Sequence, residues 1–152
     1  MRCLELLQRS NQLNLTTHRY SKDEFLTTIS TPSILSYATT VIDRFGEYGI
    51  VGVAIIDTSH QVPLLSDFVL SCRVAQKKVE HAWFAWVAGV LSEKGHRKLH
   101  AIFLATERNH ILLEVMYDVG FYKVGEVDGG IRLELDFNRA VPENDIVSIS
   151  KS

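Results

Sequence analysis

The middle of this chain admits few folds. An apolar strand candidate from Pro63 to Cys72 runs into Arg73-Val74-Ala75-Gln76-Lys77-Lys78, and a long helix then reads from Lys78 to Lys94. Between Ala82 and Leu91 that helix carries no charge, and Trp83, Phe84, Trp86, Val87 and Val90 spread around its circumference. So wide an apolar surface predicts a helix buried over much of its girth, closed at its C-terminus by Gly95. Lys98 to Ala105 then reads as another strand. Two strands of one sheet joined by a helix are expected to run parallel, since a tight hairpin cannot make that connection.

The flanking segments fill in the rest. Leu4, Leu6 and Leu7 among Glu5, Gln8 and Arg9 predict a short N-terminal helix ending near Ser10-Asn11, and residues 11–20 show no clear period and read as an extended lead-in. Ser21 with Glu24 forms a capping box for a second helix, buried through Phe25, Leu26 and Ile29 and stopped by Ser30-Thr31-Pro32. Ile34 to Ile42, Tyr48 to Asp57 and Pro63 to Cys72 read as a three-strand meander, with Ile50 to Ile56 apolar on both faces and therefore interior. After the strand from Lys98, Asn109 to Asp118 reads as a helix. Phe121 to Val127 and Ile131 to Phe137 form a hairpin through Asp128-Gly129-Gly130. In its last strand Ile131, Leu133, Leu135 and Phe137 alternate with Arg132, Glu134 and Asp136, the pattern of a strand solvated on one side. Residues 1–137 are thus expected to form one domain, with 1–20 as helix and lead-in, and 138–152 to be a loose tail.

With 152 residues, 46% of them hydrophobic and 22% charged, the chain suits a single α/β core. The two cysteines, Cys3 and Cys72, suggest no disulfide framework, and the absence of a leader-like or membrane-spanning apolar run makes the cytoplasm the expected compartment. A net charge of -2 and a pI near 6.3 count against a nucleic-acid binder. The six histidines show no metal-ligand spacing, so no metal site is expected. Trp83 and Trp86 are not interleaved with basic residues as a base-stacking platform would be.

The order of elements resembles the GNAT acetyltransferase fold: a mixed, mostly antiparallel sheet with one parallel pair, flanked by helices. A narrower resemblance lies in Gln8-Arg9-Ser10-Asn11-Gln12-Leu13-Asn14-Leu15-Thr16-Thr17 with Arg19-Tyr20, which is similar to the interdomain junction of FkbH-like proteins. Asp43-Arg44-Phe45-Gly46, Leu70-Ser71-Cys72-Arg73-Val74, Val79-Glu80, Thr106 with Asn109, and Gly120-Phe121 match that pattern in register over residues 4–137. In that family a haloacid-dehalogenase-type phosphatase domain precedes a GNAT-like C-terminal domain, and the pair is associated with loading glyceryl groups onto acyl carrier proteins in polyketide pathways. No Asp-x-Asp-x-Thr motif occurs in the chain, so the resemblance covers the C-terminal half alone.

The resemblance implies a pocket for an acyl-pantetheine arm, borne by coenzyme A or an acyl carrier protein. Its lining would come from Leu70, Arg73, Val74, Lys77, Lys78, Thr106 and Asn109. GNAT enzymes hold the coenzyme A pyrophosphate on backbone N–H groups of an Arg/Gln-x-x-Gly-x-Gly/Ala loop at a helix N-terminus. Here that loop reads Arg73-x-x-Gln76-x-Lys78, with long side chains at both glycine positions. Lys77 and Lys78 are either a phosphate site or two solvated lysines compensated by Glu80. Met116 stands where the family places its acid tyrosine, and Tyr117 is turned about 100° around the helix from it.

Three residues are candidates for chemistry. Cys72 beside Arg73 is either an acyl-accepting thiolate or a buried strand cysteine. Asn109 either binds an acyl-pantetheine carbonyl or caps its helix. Glu80 is either a general base or a favourable charge at a helix N-terminus. The implied function is acyl-pantetheine binding in acyl or glyceryl transfer, with an acyl carrier protein and a phosphatase domain as partners. The alternative is a non-catalytic carrier-docking or structural domain with a degenerate coenzyme A pocket.

Overall fold

The computed structural model describes residues 2–74 and 78–139. Its elements are α1 (Arg2–Arg9), α2 (Lys22–Ile29), β1 (Ile34–Asp43), β2 (Gly46–Asp57), β3 (Leu64–Leu70), a 3-10 turn (Cys72–Val74), α3 (Val79–Glu93), β4 (Lys98–Leu104), α4 (His110–Val119), β5 (Tyr122–Val127) and β6 (Gly130–Asp136). They build one six-stranded sheet in the order β1-β2-β3-β4-β6-β5. The meander β1-β2-β3 is antiparallel, and β2 is buried from Val51 to Ile56 as its two-sided apolar pattern requires. Joined through α3, β3 and β4 run parallel.

Helices cover the sheet in two groups, each over its own apolar cluster. Under α3 and α4 lie Phe68, Leu70, Phe84, Leu91, Leu112, Met116 and Phe121. The ring of Phe84 packs against those of Phe68 and Phe121 with centroids 5.1 and 5.3 Å away. Under α1 and α2 lie Leu4, Leu6, Leu7, Tyr20 and Phe25 with Val53, Ile55 and Val69 of the sheet. Buried residues circle α3 through Val79, Trp83, Phe84, Val87, Ala88 and Leu91, and Gly95, at φ +90°, ends that helix. There the His96 and Gly95 N–H groups donate to Leu91 and Ser92 carbonyls, the paired bonds of a left-handed glycine cap.

Several expectations are corrected. Ser21 Oγ accepts from Glu24 N at 3.1 Å, but the Glu24 carboxylate turns to His18 Nε2 at 2.6 Å, so only half of the capping box forms. In α2, Phe25 is buried whereas Leu26 is exposed, because that short helix meets the sheet along a narrow line. Glu134 is buried, not solvated: β6 lies between β4 and β5, and Lys98, His100 and Tyr122 converge on its carboxylate. The Tyr122 hydroxyl, above all, holds that carboxyl below its usual pKa. The Asn138 N–H donates to Asp136 Oδ1 and the Arg139 guanidinium covers the Tyr122 ring, and the rest of the expected loose tail, residues 140–152, lies outside the described residues.

Candidate functional site at the opening of the sheet

The two parallel strands separate soon after they meet. Pairing between β3 and β4 is confined to Leu64 with His100 and Leu65 with Ala101, and beyond these the strands diverge. Such a wedge leaves two rows of backbone polar groups facing each other without partners, and buried groups of that kind have to be satisfied. Leu13-Asn14-Leu15 satisfies them. The Leu15 N–H donates to Phe68 O at 2.9 Å, Leu70 N–H donates to Leu13 O at 2.9 Å, and Leu104 N–H donates to Leu15 O at 3.1 Å. The segment is a three-residue strap, antiparallel to β3 at Asn14 and Val69, bonded to both walls of the wedge.

Local sequence explains why the strap lies there. Leu13 and Leu15 are two residues apart, share one side of the extended segment, and are buried in the cluster under α3 and α4. Asn14, between them, turns the other way: its Nδ2 donates to Ser10 O, and its Oδ1 accepts from the Thr16 and Thr17 N–H groups at 3.3 and 2.8 Å. Those last bonds make an Asx turn that ends the strap, with Thr17 left-handed at φ 54°. Arg19 reaches back to the Leu7 and Ser10 carbonyls and to Asn11 Oδ1, closing the end of α1 against the same stretch.

Asn109 locks the strap from the β4 side. Fully buried, it accepts at Oδ1 from Thr106 N at 2.8 Å, while Nδ2 donates to Leu104 O at 2.9 Å and Asn14 O at 3.0 Å. The Thr106 hydroxyl accepts in turn from the Arg108 and Asn109 N–H groups. Asn109 stands at the N-cap position of α4. It makes no side-chain bond to its helix, and its amide is committed to the protein's own backbone. Thr106 is likewise a turn-stabilising residue.

The other candidates are dispersed. Leu70 is at the wedge, but its N–H is already bound to Leu13, and Val74 is fully buried in the core. Cys72 lies in the 3-10 turn, exposed, with its thiol donating to Gln12 Oε1 at 3.3 Å, so the buried-strand reading is overturned. Arg73 is exposed and donates from Nη2 to Tyr48 O. Lys78 is exposed and left-handed at φ 63°, holding a glycine-like backbone at the second glycine position of the loop pattern. Lys77 and Gln76 lie outside the described residues.

Glu80 follows Lys78 at the start of the same helix. It is buried in the first turn of α3, with Oε1 3.3 Å from His81 Nδ1 in poor alignment for a hydrogen bond, and with Oε2 unpartnered among the described residues. A carboxylate there places negative charge in the helix turn that would otherwise favour a bound anion. His81 Nε2 meets Asp118 Oδ2 of α4 at 2.5 Å, a bond that holds the Asp118 carboxyl below its usual pKa.

Two site residues escaped sequence reasoning altogether. Asp67 of β3 is buried and accepts from Thr16 Oγ1 at 3.0 Å and from the Tyr20 hydroxyl. Burial pushes its carboxyl above the ordinary value even against those two bonds, and burial beside Asp67 pushes the Tyr20 phenol up as well. The only hint was a charged residue in a mostly apolar strand. Among the described residues, no group of three or more His, Cys, Asp or Glu is placed to hold a metal ion, and no helix is long and apolar enough to cross a membrane.

No protein-family model and no curated protein matches the chain significantly. Solved structures do. The PaiA N-acetyltransferase of Thermoplasma acidophilum in complex with coenzyme A is 16% identical, over 78% of this chain and 72% of that one, with a TM-score of 0.62. The ribosomal-protein-S18-alanine N-acetyltransferase of Escherichia coli is 13% identical over 96% and 93%, with a TM-score of 0.63. An IAA acetyltransferase of Bacillus cereus is 14% identical over 76% and 85%, with a TM-score of 0.56. At these identities the likeness is one of architecture, and by that likeness together with its six-stranded sheet and single parallel pair, the chain has the fold of the GNAT acetyltransferases.

Proposed function

We propose that this chain is a GNAT-fold docking module of an FkbH-like protein, which engages an acyl carrier protein for acyl or glyceryl transfer without performing the transfer itself. The observation that carries this reading is the strap. Leu13-Asn14-Leu15 takes up the backbone N–H of Leu70 and the side chain of Asn109, the groups that an acyl-pantetheine arm in the wedge would use. Met116, buried where a GNAT acid tyrosine is expected, and Glu80 inside the first turn of α3 support it further. In this reading the phosphatase domain of the family supplies the chemistry and the present domain supplies affinity for the carrier.

The second reading, a coenzyme A-dependent acyltransferase, is favoured by the left-handed backbone of Lys78 at the glycine position and by coenzyme A in the Thermoplasma neighbour. Calorimetric titration with acetyl-coenzyme A, free coenzyme A and a holo-acyl carrier protein separates the two. Docking predicts heat with the holo-carrier and none with millimolar coenzyme A. A coenzyme A Kd well below 1 mM, stronger than about -4.1 kcal/mol, with acyl turnover lost in Cys72→Ala, establishes the transferase instead.

A further inference from the structure

Outside the wedge, on the side of α1, lies an open depression of about 740 Å³ whose wall is formed by Arg2, Glu5, Arg9, Gln12, Cys72 and Arg108 among others. Three arginines against one glutamate make it cationic, on a protein whose net charge is -2. The arginines are not equivalent. Arg2 is engaged, with Nη1 3.5 Å from Glu5 Oε2 and Nε donating to Ile50 O. Arg9 and Arg108 are exposed, and among the described residues neither guanidinium takes part in an ion pair or a hydrogen bond. They come from elements far apart in sequence, the end of α1 and the loop before α4, yet line the same hollow.

We infer that this depression binds a compact dianion, a phosphate monoester or a dicarboxylate, between the guanidinium groups of Arg9 and Arg108. Two like charges brought to one concave site repel each other unless an anion offsets them, and planar guanidinium groups match the oxygen geometry of phosphate and carboxylate. The neighbouring wall adds polar groups suited to the same ligand: Ser10, Asn11, Gln12 and Ser71 all border the hollow. Its wall meets the chain at Ser71 and Cys72, and Arg9 and Arg108 come from outside the Arg73 to Lys78 segment.

The test is calorimetric titration of the whole chain with inorganic phosphate and with succinate at low ionic strength, for the wild type, R9Q/R108Q and R44Q. Arg44 is a control cation that stacks on Phe45, away from the depression. The expected result is saturable binding of at least one dianion, weakened about tenfold or more in R9Q/R108Q, unchanged in R44Q, and reduced by added salt. Because the Arg9 and Arg108 side chains bond nothing among the described residues, the double variant is expected to unfold at the wild-type urea midpoint. Absence of saturable binding of both dianions to the wild type, or equal binding in R9Q/R108Q, overturns the assignment.

Discussion

The two edges of β4 are built in opposite ways. Along one, seven residues from Lys98 to Leu104 pair in unbroken antiparallel register with Asp136 back to Gly130 of β6. Along the other, only His100 and Ala101 pair with β3, and the rest of the edge is completed by a strap from near the N-terminus. The first edge is stabilised by repetition, each pair supported by the next. The second depends on a few buried polar groups, chiefly Asn109, with no ladder behind them. On this second edge the protein completes the sheet with backbone from outside its strands.

Substitutions sharpen the contrast in order of their expected effect. Gly130 begins β6, and a Cβ there would lie 2.0 Å from Phe103 O, a backbone atom that cannot turn aside. Gly130→Ala should therefore cost at least ~3 kcal/mol, read from the urea midpoint, and should loosen the ladder edge. Asn109→Ala removes the buried amide that joins Thr106, Leu104 and Asn14. A loss of about 2–3 kcal/mol is expected from the backbone groups left unpaired. Hydrogen exchange should accelerate at Leu15, Leu70 and Leu104, while the amides of β4 facing β6 keep their protection. Equal acceleration on both edges would mean that they open as one unit and the distinction fails.

Asp67 ties the strap's Thr16 to β3, and its effect depends on pH. Its folded pKa is raised, so between its ordinary value and that raised value the native state holds more protons than the unfolded chain, and stability falls as pH rises. The stability of the wild type relative to Asp67→Asn should be greatest at or below about pH 4 and decline as pH rises from there. A flat difference across that range would place the carboxyl at its unfolded value and remove burial as the dominant influence. The smallest change concerns neither edge directly: Lys78→Gly relieves a left-handed non-glycine backbone but removes a side chain with an interaction of its own, so the net shift should stay within about 1 kcal/mol.

Where a feature repeats, it was legible from sequence. The 15 residues of α3 announced themselves through a charge-free apolar surface, and the β5–β6 hairpin through alternation and Asp128-Gly129. From these the parallel pair and the GNAT-like order followed. The strap was not legible, because Leu13-Asn14-Leu15 is a single period of alternation, too short to distinguish from loop. Its partners, Phe68, Leu70 and Leu104, lie more than 50 residues away. The candidate site residues were ambiguous for a related reason: Asn109 at a helix start, Cys72 at a strand end and Glu80 in a first turn each had a local explanation. Only long-range geometry could tell that Asn109 serves the backbone of Asn14, 95 positions earlier.

The closed wedge also governs how the protein tolerates trimming. Removing residues 1–15 would strip the partners from Phe68 O, Leu70 N–H and Leu104 N–H and uncover two strand edges facing each other across an apolar gap. Unpaired edges of that kind recruit extended segments from other chains, so a shortened version should self-associate rather than simply lose stability. The strap is in that sense a guard against aggregation, keeping the divergent strands from pairing with a neighbour.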